Sequence, residues 1–421
     1  MPKIPKNWFN IIPTFSDKFP KPLNPTTNKE MKIKDYREII PKELAKQELL
    51  IGKYGKKTKI KIPREVLDLY KLYRPTPLAR AERLEKYLNT PAKIYYKRED
   101  ASPVGSHKLN TSIPQVFYSK KEDAECIVTD TGAGQWGSAI AISSNFFGLK
   151  SIVFMLRKSY EEKPYRVMMM KMFGSEVIPS PSDKTKTGKI ALEISELSKT
   201  GSLGIGMSEA IETVMQTKGA RLALGCMSNY AVLHQTVIGN ECMTQLKKEG
   251  LNPDIMIGCV GGGSNLGGFC YPFIPKFTET KFIAAESDAV PVLTKGEYRY
   301  DFQDYLAFLP MIKMYTLGHK FLPPPIHSGG LRYHGKNSTL SYLVNKKIIE
   351  PRSYSQDRVF EAGKLFAKLE GIVPAPETSH AIAAVIEEAE RCKRENKEKT
   401  IVFNFSGHGL LDLENYKQVL F

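Results

Sequence analysis

Three glycines that directly follow an apolar stretch form the strongest chemical signal in the chain. The segment DIMIGCV leads into Gly261, Gly262, Gly263, Ser264 and Asn265, and the next residues, LGGF, can begin a helix. Glycines let backbone N–H groups approach an anion closely, and a helix start adds partial positive charge, so this loop can hold a phosphate group. It has neither the lysine of a Walker loop nor the spacing of a dinucleotide fingerprint. The alternative is a tight turn between a strand and a helix.

A lysine in the segment SHKLN is a second candidate. Lys108 follows His107 there, shortly after the apolar stretch AKIYYKRED. A lysine that is removed from water in a cleft has a lowered pKa and can form a Schiff base with a carbonyl cofactor. The alternative is a solvated loop lysine, which is the common case.

The segment DTGAGQWG follows another β-like run, CIVT. Its glycines permit close approach of the backbone to a substrate carboxylate, and Thr131 and Gln135 offer donors. Asp130 is a candidate acid or base within a cleft. The alternative for Asp130 is a cap on the following helix.

Two later residues complete the set of candidates. Glu370 lies in LEGIVPAPETSHA and Ser406 in NFSGHG. Each has a simple alternative, because Glu370 can end a helix in water and Ser406 can belong to a turn.

The elements that carry these residues repeat one pattern from about residue 92 onwards. Short apolar runs alternate with glycine-rich turns and helix-length amphipathic segments, which predicts an α/β fold with open, mostly parallel sheets flanked by helices. The glycines and polar residues come just after the predicted strands. Open α/β sheets bind their ligands at that edge, so we expect the candidates to meet in one cleft.

The first 64 residues differ in character from the rest. They contain 16 Lys and Arg against 6 Asp and Glu, a local excess of +10 out of the net +16 of the 421-residue chain. Eight of the 27 prolines lie there as well, and Trp8, Phe9, Phe15 and Phe19 lie between them. We therefore expect an extended segment that packs on the body through its aromatic side chains, since proline disfavours a long helix.

Composition excludes several classes of protein. The basic excess is local and no RNA- or DNA-binding motif accompanies it, so nucleic-acid binding is not expected. The six cysteines are scattered, which indicates neither a metal site nor a disulfide framework. No run of eighteen apolar residues and no apolar stretch after the first lysines is found, which predicts a cytoplasmic protein without a membrane span.

Taken together, the motifs resemble the tryptophan synthase β chain, a pyridoxal-phosphate enzyme of fold type II. The resemblance runs from Trp8 to about Asp412 and is closest to the extended second type of β chain. It rests on the segments NWFNIIPTF, RPTPLARAERL, GSHKLNT, TGAGQWG, SEVIPSPSD, GSLGIGMSEA, HQTVIG, GGGSN, KMYTLGHKF, PPPIHSGGLRYHG, EGIVPAPETSHA and FSGHG.

The resemblance implies roles for the candidates. Lys108 becomes the Schiff-base lysine of pyridoxal phosphate, with His107 beside the phosphate, and Glu370 and Ser406 face the pyridine ring. It places the cofactor phosphate on Gly261, Gly262, Gly263, Ser264 and Asn265, and the substrate α-carboxylate on Thr131, Gly132, Ala133, Gly134 and Gln135.

The implied reaction is a β-replacement that forms L-tryptophan from indole and L-serine or O-phospho-L-serine. A neutral Ser406 opposite the ring nitrogen makes the ring a weaker electron sink, which favours loss of a β-leaving group over transamination. Asp130 is a departure, because the family pattern has glutamate before TGAGQ. Two alternatives stay open: a serine or threonine deaminase, and a diverged β-like subunit of low activity.

The resemblance also leads to expectations about ligands and partners. Arg332 and His334, with Lys336, form a cationic segment that could hold the phosphate of O-phosphoserine. The resemblance further allows a monovalent cation, a homodimer, and weak or transient binding of a tryptophan synthase α subunit. It predicts an N-terminal extension of residues 1–64, an N-terminal α/β domain of residues 65–71 and 107–232, and a C-terminal α/β domain of residues 72–106 and 233–421, with the cofactor in the cleft between the domains.

Overall fold

A computed structural model describes residues 4–36 and 39–421 of the chain. Residues 1–3 and 37–38, which belong to the predicted N-terminal extension, lie outside the described residues. Within the described part the strands are β1 (Asn7–Phe9), β2 (Lys59–Lys61), β3 (Leu78–Arg80), β4 (Lys93–Arg98), β5 (Cys126–Thr131), β6 (Lys150–Leu156), β7 (Glu176–Ser180), β8 (Ala220–Leu222), β9 (Ile255–Cys259), β10 (Lys281–Ser287), β11 (Glu297–Phe302), β12 (Met311–Thr316), β13 (Ile349–Tyr354) and β14 (Thr400–Phe405).

Helices connect and cover these strands. In the same residues they are α1 (Lys42–Glu48), α2 (Lys53–Lys56), α3 (Arg64–Tyr70), α4 (Glu82–Leu88), α5 (Leu109–Lys120), α6 (Gln135–Phe146), α7 (Arg157–Glu162), α8 (Pro164–Met172), α9 (Lys186–Ile194), α10 (Glu196–Lys199), α11 (Leu203–Gln216), α12 (Asn229–Gln235), α13 (Val237–Lys248), α14 (Ser264–Cys270), α15 (Val292–Lys295), α16 (Ser338–Asn345), α17 (Gln356–Glu370), α18 (Pro376–Glu395) and α19 (Leu413–Leu420).

Two open sheets organise the chain. The four-stranded sheet has the order β7-β6-β5-β8 and is parallel throughout. The six-stranded sheet has the order β13-β10-β9-β14-β4-β3, and its strands are parallel except for the short edge strand β3. This confirms the predicted α/β fold with two mostly parallel sheets. The domain boundaries within it stay a prediction.

The apolar character of the central strands explains where the core lies. Every residue of β5, β9 and β14 is buried, as expected for strands that have helices on both faces of the sheet. On the six-stranded sheet, Ile257 and Phe403 pack in one cluster with Phe360 of α17 and Ile382 of α18. Because the strands are parallel and adjacent, the loops after β9 and β14 emerge side by side.

The N-terminal segment lies against the body. Trp8 of β1 is completely buried, and its ring centroid lies 4.4 Å from that of His234. Phe15 and Phe19 contact Tyr342, at 4.7 and 5.7 Å between ring centroids. The segment is less extended than predicted, since α1 and α2 lie within it. The residues of α1, KELAKQE, follow Pro41 and contain no proline themselves, so good helix formers determine the local structure there.

None of the helices in residues 4–36 and 39–421 combines the length and the hydrophobicity that a membrane span needs.

Candidate active site

One cleft with two lobes lies where the glycine-rich loops meet. The first lobe, of about 510 Å³, adjoins the loop after β5, and the second, of about 410 Å³, adjoins the loops after β9 and β14. The residues that line both lobes are Lys108, Gln135, Cys226 and Gly330. Segments that follow strands of both sheets therefore form the walls of one site.

Lys108 stands at the junction of the lobes. It directly precedes α5, and its Nζ donates a hydrogen bond to the carbonyl oxygen of Gly225 at 2.9 Å. That main-chain partner holds the amine in the cleft, and none of the described carboxylates forms an ion pair with it. The amine is thus positioned between a polar lobe and a more apolar one.

His107 is a neutral imidazole in the second lobe. Its backbone N–H donates to the carbonyl oxygen of Ser406 at 2.9 Å, and its Nδ1 lies 3.2 Å from the same oxygen. Because a carbonyl only accepts, the ring proton is on Nδ1 and Nε2 is an acceptor. Burial, with the charge of Lys108, lowers the pKa of His107 to about 3. Nε2 is buried and has no hydrogen-bond partner among the described residues, which leaves it available to a ligand.

The glycine loop after β9 is packed too tightly for side chains. A Cβ at Gly262 would overlap Sγ of Cys226, and a Cβ at Gly261 would overlap the carbonyl oxygen of Gly330. Gly263, at φ +117°, is in a conformation that other residues rarely adopt, and α14 starts directly after it. The first-turn N–H groups of α14 have no partner within the helix, so they can bind an anion in the second lobe.

Ser264 and Asn265 are fixed in different ways. The hydroxyl of Ser264 is 3.4 Å from the carbonyl oxygen of Gly225, a weak contact that a ligand can replace. The Nδ2 of Asn265 donates to the carbonyl oxygen of Cys259 at 3.0 Å, and its Oδ1 accepts from Asn404 at 2.6 Å. Asn265 thus ties the start of α14 to β9 and β14.

Asp130 is buried at the end of β5 and faces the first lobe. Burial raises the pKa of its carboxyl group to about 7, against an opposing attraction to Lys108. The carboxyl group does not cap α6, because the N-cap residue is Gly134 and no side chain caps that helix. Asp130 can therefore hold or release a proton near neutral pH.

The loop between Asp130 and α6 is held at both ends. The N–H of Gly137 donates to Oγ1 of Thr131 at 3.1 Å, and Nε2 of Gln135 donates to Oε2 of Glu377 at 3.3 Å. A Cβ at Gly132 would overlap the carbonyl oxygen of Gly329. The predicted carboxylate-binding residues thus form one rigid wall of the cleft.

The first lobe is otherwise apolar. The polar tips of its aromatic residues point away to partners: Trp136 donates to Oγ1 of Thr129 at 2.7 Å, and Tyr333 donates to the carbonyl oxygen of Gln303 at 2.7 Å. Its remaining walls come from Leu203, Met207, Leu224 and Met227. Such a lobe suits a flat apolar molecule with few polar groups.

Comparison with known proteins agrees with this geometry. Residues 69–407 match the family model described as pyridoxal-phosphate dependent enzyme. Tryptophan synthase β chain 2 of Pyrococcus furiosus is 52% identical to this chain, over 99% of this chain and 93% of the relative. The corresponding β chain 2 of Methanothermobacter thermautotrophicus is 49% identical, over 99% and 97%. This chain belongs to the tryptophan synthase β chains.

A solved structure supports the fold alone. The crystal structure of a threonine deaminase from T.th. superimposes with a TM-score of 0.60 at 18% sequence identity, covering 82% of this chain and 97% of that one. The tryptophan synthase β chains belong to the pyridoxal-phosphate-dependent enzymes, so the predicted family, lyase class and cofactor are confirmed.

The residues of this β chain fit pyridoxal phosphate. The second lobe offers an unpartnered imidazole nitrogen on His107, a glycine cradle that any Cβ would fill, and the amine of Lys108. Ser406 also lines that lobe, with its hydroxyl 2.7 Å from Oγ1 of Thr378. A neutral hydroxyl is thus available to a pyridine nitrogen, as expected for this family member.

Glu370 does not reach the cleft. It is the last residue of α17, where its Oε1 accepts the N–H of Leu84 at 2.9 Å and its Oε2 lies 3.6 Å from Arg83. The carboxylate that lines the second lobe belongs to Glu377, seven residues further on in the first turn of α18. The prediction that Glu370 faces the ring is therefore wrong, because α17 ends before the chain turns back to the cleft.

The cationic segment does not form one cluster. Nη2 of Arg332 donates to Oγ1 of Thr200 at 2.8 Å, and His334 contacts the carbonyl oxygen of Phe302 at 2.9 Å. Burial lowers the pKa of His334 to about 4, so it carries no charge at neutral pH. Lys336 points to Val260. Neither Arg332 nor His334 lines a lobe of the cleft, since the three side chains leave the backbone in different directions.

Several lining residues were missed in the sequence. Glu377 had a readable signal: Pro376 favours the first position of a helix, which places Glu377 in the first turn. No signal in the sequence marked the other lining residues, because their positions depend on packing between distant segments; these are Cys226, Trp136 and Tyr333.

Proposed function

We propose that this chain catalyses β-replacement, in which indole displaces the β-substituent of L-serine or O-phospho-L-serine to give L-tryptophan. The co-product is water from serine or phosphate from O-phosphoserine. Bound pyridoxal phosphate supplies the electron sink that makes the α-proton acidic and the β-substituent labile. The residues of the cleft bind, orient and move protons.

The observation that carries the proposal is the position of Asp130 in the wall of the apolar lobe, beside Lys108 at the junction with the polar lobe. Its carboxyl group lines the apolar lobe beside Lys108, and its raised pKa suits proton exchange near neutral pH. A protonated Asp130 can assist departure of the β-substituent. Once ionised, it can accept the indole N–H. A deaminase has no need of an apolar lobe at this place.

Lys108 and the loop from Thr131 to Gln135 have separate roles. Nζ of Lys108, at the junction of the lobes, can remove the α-proton of the amino acid and return it to the product. The loop offers backbone N–H groups and the amide of Gln135 to the α-carboxylate. Together they orient the β-carbon towards the apolar lobe.

The donor is the open choice within this reaction. Arg332 is 1% exposed, and its Nε and Nη1 have no hydrogen-bond partner in the described part of the chain. Burial lowers the pKa of this arginine to about 10, although the carboxylate of Glu162 opposes the shift. A phosphate would satisfy those two nitrogens. Arg332 does not itself line the cleft, but it follows Gly330 and Leu331, which do, so O-phosphoserine becomes a substrate if the side chain turns towards them.

A direct assay tests the reaction. The chain loaded with pyridoxal phosphate is incubated with indole and either donor, and tryptophan and pyruvate are quantified by chromatography. Tryptophan as the main product supports the proposal. Pyruvate and ammonia as the main products from serine, with indole unconsumed, would identify a deaminase instead. The absence of both products, with the cofactor bound, would indicate a diverged subunit.

We also propose a cytoplasmic homodimer that binds a tryptophan synthase α subunit weakly or transiently, and the boundaries of the two α/β domains given above. The family resemblance supports these points. Light scattering of the purified chain, alone and with an α subunit, tests the assembly. A monomer, or a tight and stoichiometric complex, would contradict it.

A further inference from the structure

Lys336 is a buried lysine at the base of the phosphate loop. Its side chain is 1% exposed, and Nζ donates to the carbonyl oxygen of Val260 at 3.3 Å. Val260 directly precedes Gly261. The second neighbour of the ammonium group is Oε2 of Glu286, at 3.4 Å. An ammonium group is thus fixed next to the loop that binds the cofactor phosphate.

The residue after Lys336 holds the same loop. The N–H of Asn337 donates to the carbonyl oxygen of Gly262 at 2.7 Å, and its Nδ2 donates to the carbonyl oxygen of Met227 at 2.7 Å. Lys336 and Asn337 therefore bind two carbonyl groups of the loop, those of Val260 and Gly262. With those carbonyl groups held, the intervening N–H groups remain available to an anion.

Glu286 does not depend on Lys336 for its partners. Its carboxylate accepts the N–H of Leu293 at 3.0 Å and both the N–H and the hydroxyl of Thr294 at 2.9 Å. The ion pair alone therefore does not account for a lysine in this place. A main-chain carbonyl and a carboxylate oxygen around one positive charge are the ligands that a potassium or ammonium ion takes.

We propose that the ammonium group of Lys336 is a built-in cation for the phosphate loop. It supplies from the chain the positive charge that a bound monovalent cation would supply, and it positions the loop for the cofactor. Cofactor binding by this chain is then independent of added monovalent cations. Lys336 is a positioning residue in this scheme. The inference rests on the cofactor assigned above and not on the identity of the donor or the acceptor.

The test measures cofactor affinity and needs no turnover. Pyridoxal phosphate is titrated by absorbance in chloride salts of sodium, potassium, ammonium or tetramethylammonium at equal ionic strength. For the parent chain we expect the same affinity in all four salts, within about twofold. Lys336→Ala should bind on the order of tenfold more weakly in tetramethylammonium. Ammonium or potassium should restore it, because either ion fits the vacated space.

Two further variants make the result specific. Lys336→Met fills the space without a charge, so its affinity should be low in every salt. Lys346→Ala removes a lysine from the same segment that is 44% exposed at its side chain, and it should behave like the parent. Restoration of Lys336→Ala by a small cation, with no effect on Lys336→Met, is a response that a purely structural role would not give.

Three results would overturn the inference. The first is a parent chain whose cofactor affinity depends on potassium or ammonium. This measurement on the parent chain is decisive even if the variants do not fold. The second is parental affinity in Lys336→Met. The third is a Lys336→Ala variant that binds the cofactor as tightly in tetramethylammonium as in potassium or ammonium. A chain that binds the cofactor in all salts but forms no tryptophan would contradict the proposed reaction and leave this inference intact.

Discussion

Gln135 and Glu377 join the two sides of the cleft. Nε2 of Gln135, at the start of α6, donates to Oε2 of Glu377, at the start of α18, at 3.3 Å. Oε1 of the same carboxylate accepts the N–H of Gly330 at 2.8 Å. One carboxylate thus connects the loop of the four-stranded sheet with a helix of the six-stranded sheet and with the segment that closes the cleft.

Substitution of Glu377 should therefore impair catalysis much more than folding. In Glu377→Gln an NH2 group would face one of the two donors, so either Gly330 loses its acceptor or the amide of Gln135 must turn over to accept. A displacement of about 1 Å in the cleft can lower kcat/KM by about 100-fold. The matched control is Glu370→Gln, whose carboxylate bonds the N–H of Leu84 outside the cleft. Steady-state rates of tryptophan formation are measured for both variants. Equal losses in the two would show that Glu377 has no special role in the cleft.

Asp130 should be essential for turnover with indole. Asp130→Asn keeps the size of the side chain but can neither give nor take a proton, so tryptophan formation should be nearly abolished while the cofactor still binds. Asp130→Glu should raise turnover, because it restores the reach of the family pattern. Rates with indole and cofactor absorbance are measured together. Parental activity of Asp130→Asn would show that the carboxyl group has only a structural role.

The same residue should make stability depend on pH. Burial raises the pKa of Asp130 from 3.8 to about 7, so between these values the folded chain holds a proton that the unfolded chain has released. The contribution of this group to the free energy of unfolding therefore decreases as pH rises from about 4 to about 7, by up to about 4 kcal/mol. Urea unfolding of the parent and of Asp130→Asn over this range measures it. The free energy of unfolding of the variant should rise relative to that of the parent as the pH rises. A difference between the two free energies that does not change with pH would contradict the raised pKa.

The sequence was sufficient to locate the walls of the cleft that consist of backbone. Gly261 to Gly263 and the segment from Thr131 to Gln135 could be located because parallel strands place their ends at one edge, where glycines mark the close approach of neighbouring segments. These features are local, so they can be read from a single segment. The alternation of apolar runs and amphipathic segments likewise predicted both sheets.

Side chains that reach the cleft over a distance could not be assigned in this way. The segment LEGIVPAPETSHA contains two glutamates, of which only Glu370 was predicted, and the choice between Glu370 and Glu377 depends on where α17 ends. Arg332 and His334 are only two positions apart, yet the irregular backbone after Gly330 sends them to Thr200 and Phe302. Charge in a short segment therefore does not establish a cluster.

The N-terminal segment should contribute to stability through Trp8. The side chain is completely buried against His234, and truncation of a buried aromatic residue costs about 3–5 kcal/mol. We expect Trp8→Ala to lower the free energy of unfolding by this amount, as measured with urea. Tyr87→Ala is the control, because Tyr87 is 62% exposed and its loss should change the value by less than about 0.5 kcal/mol. If Trp8→Ala and Tyr87→Ala change the free energy of unfolding by the same small amount, the N-terminal segment is not needed for folding of the body.

Arg332 should distinguish the two donors. Its unpaired Nε and Nη1 can meet a phosphate only if the side chain turns from Thr200 towards Gly330 and Leu331, which line the cleft. If it does, Arg332→Met should lower kcat/KM for O-phosphoserine on the order of tenfold or more and leave that for serine nearly unchanged, since only the phosphate makes a bidentate contact.

Two comparisons separate this specific effect from a general one. Arg332→Lys keeps the charge but not the two-pronged geometry, so it should recover only part of the activity with O-phosphoserine. His334→Ala should affect both donors alike, because its imidazole is neutral and bound to Phe302. Equal losses for serine and O-phosphoserine in Arg332→Met would show that the guanidinium group supports the fold, and the donor would then be recognised elsewhere in the cleft.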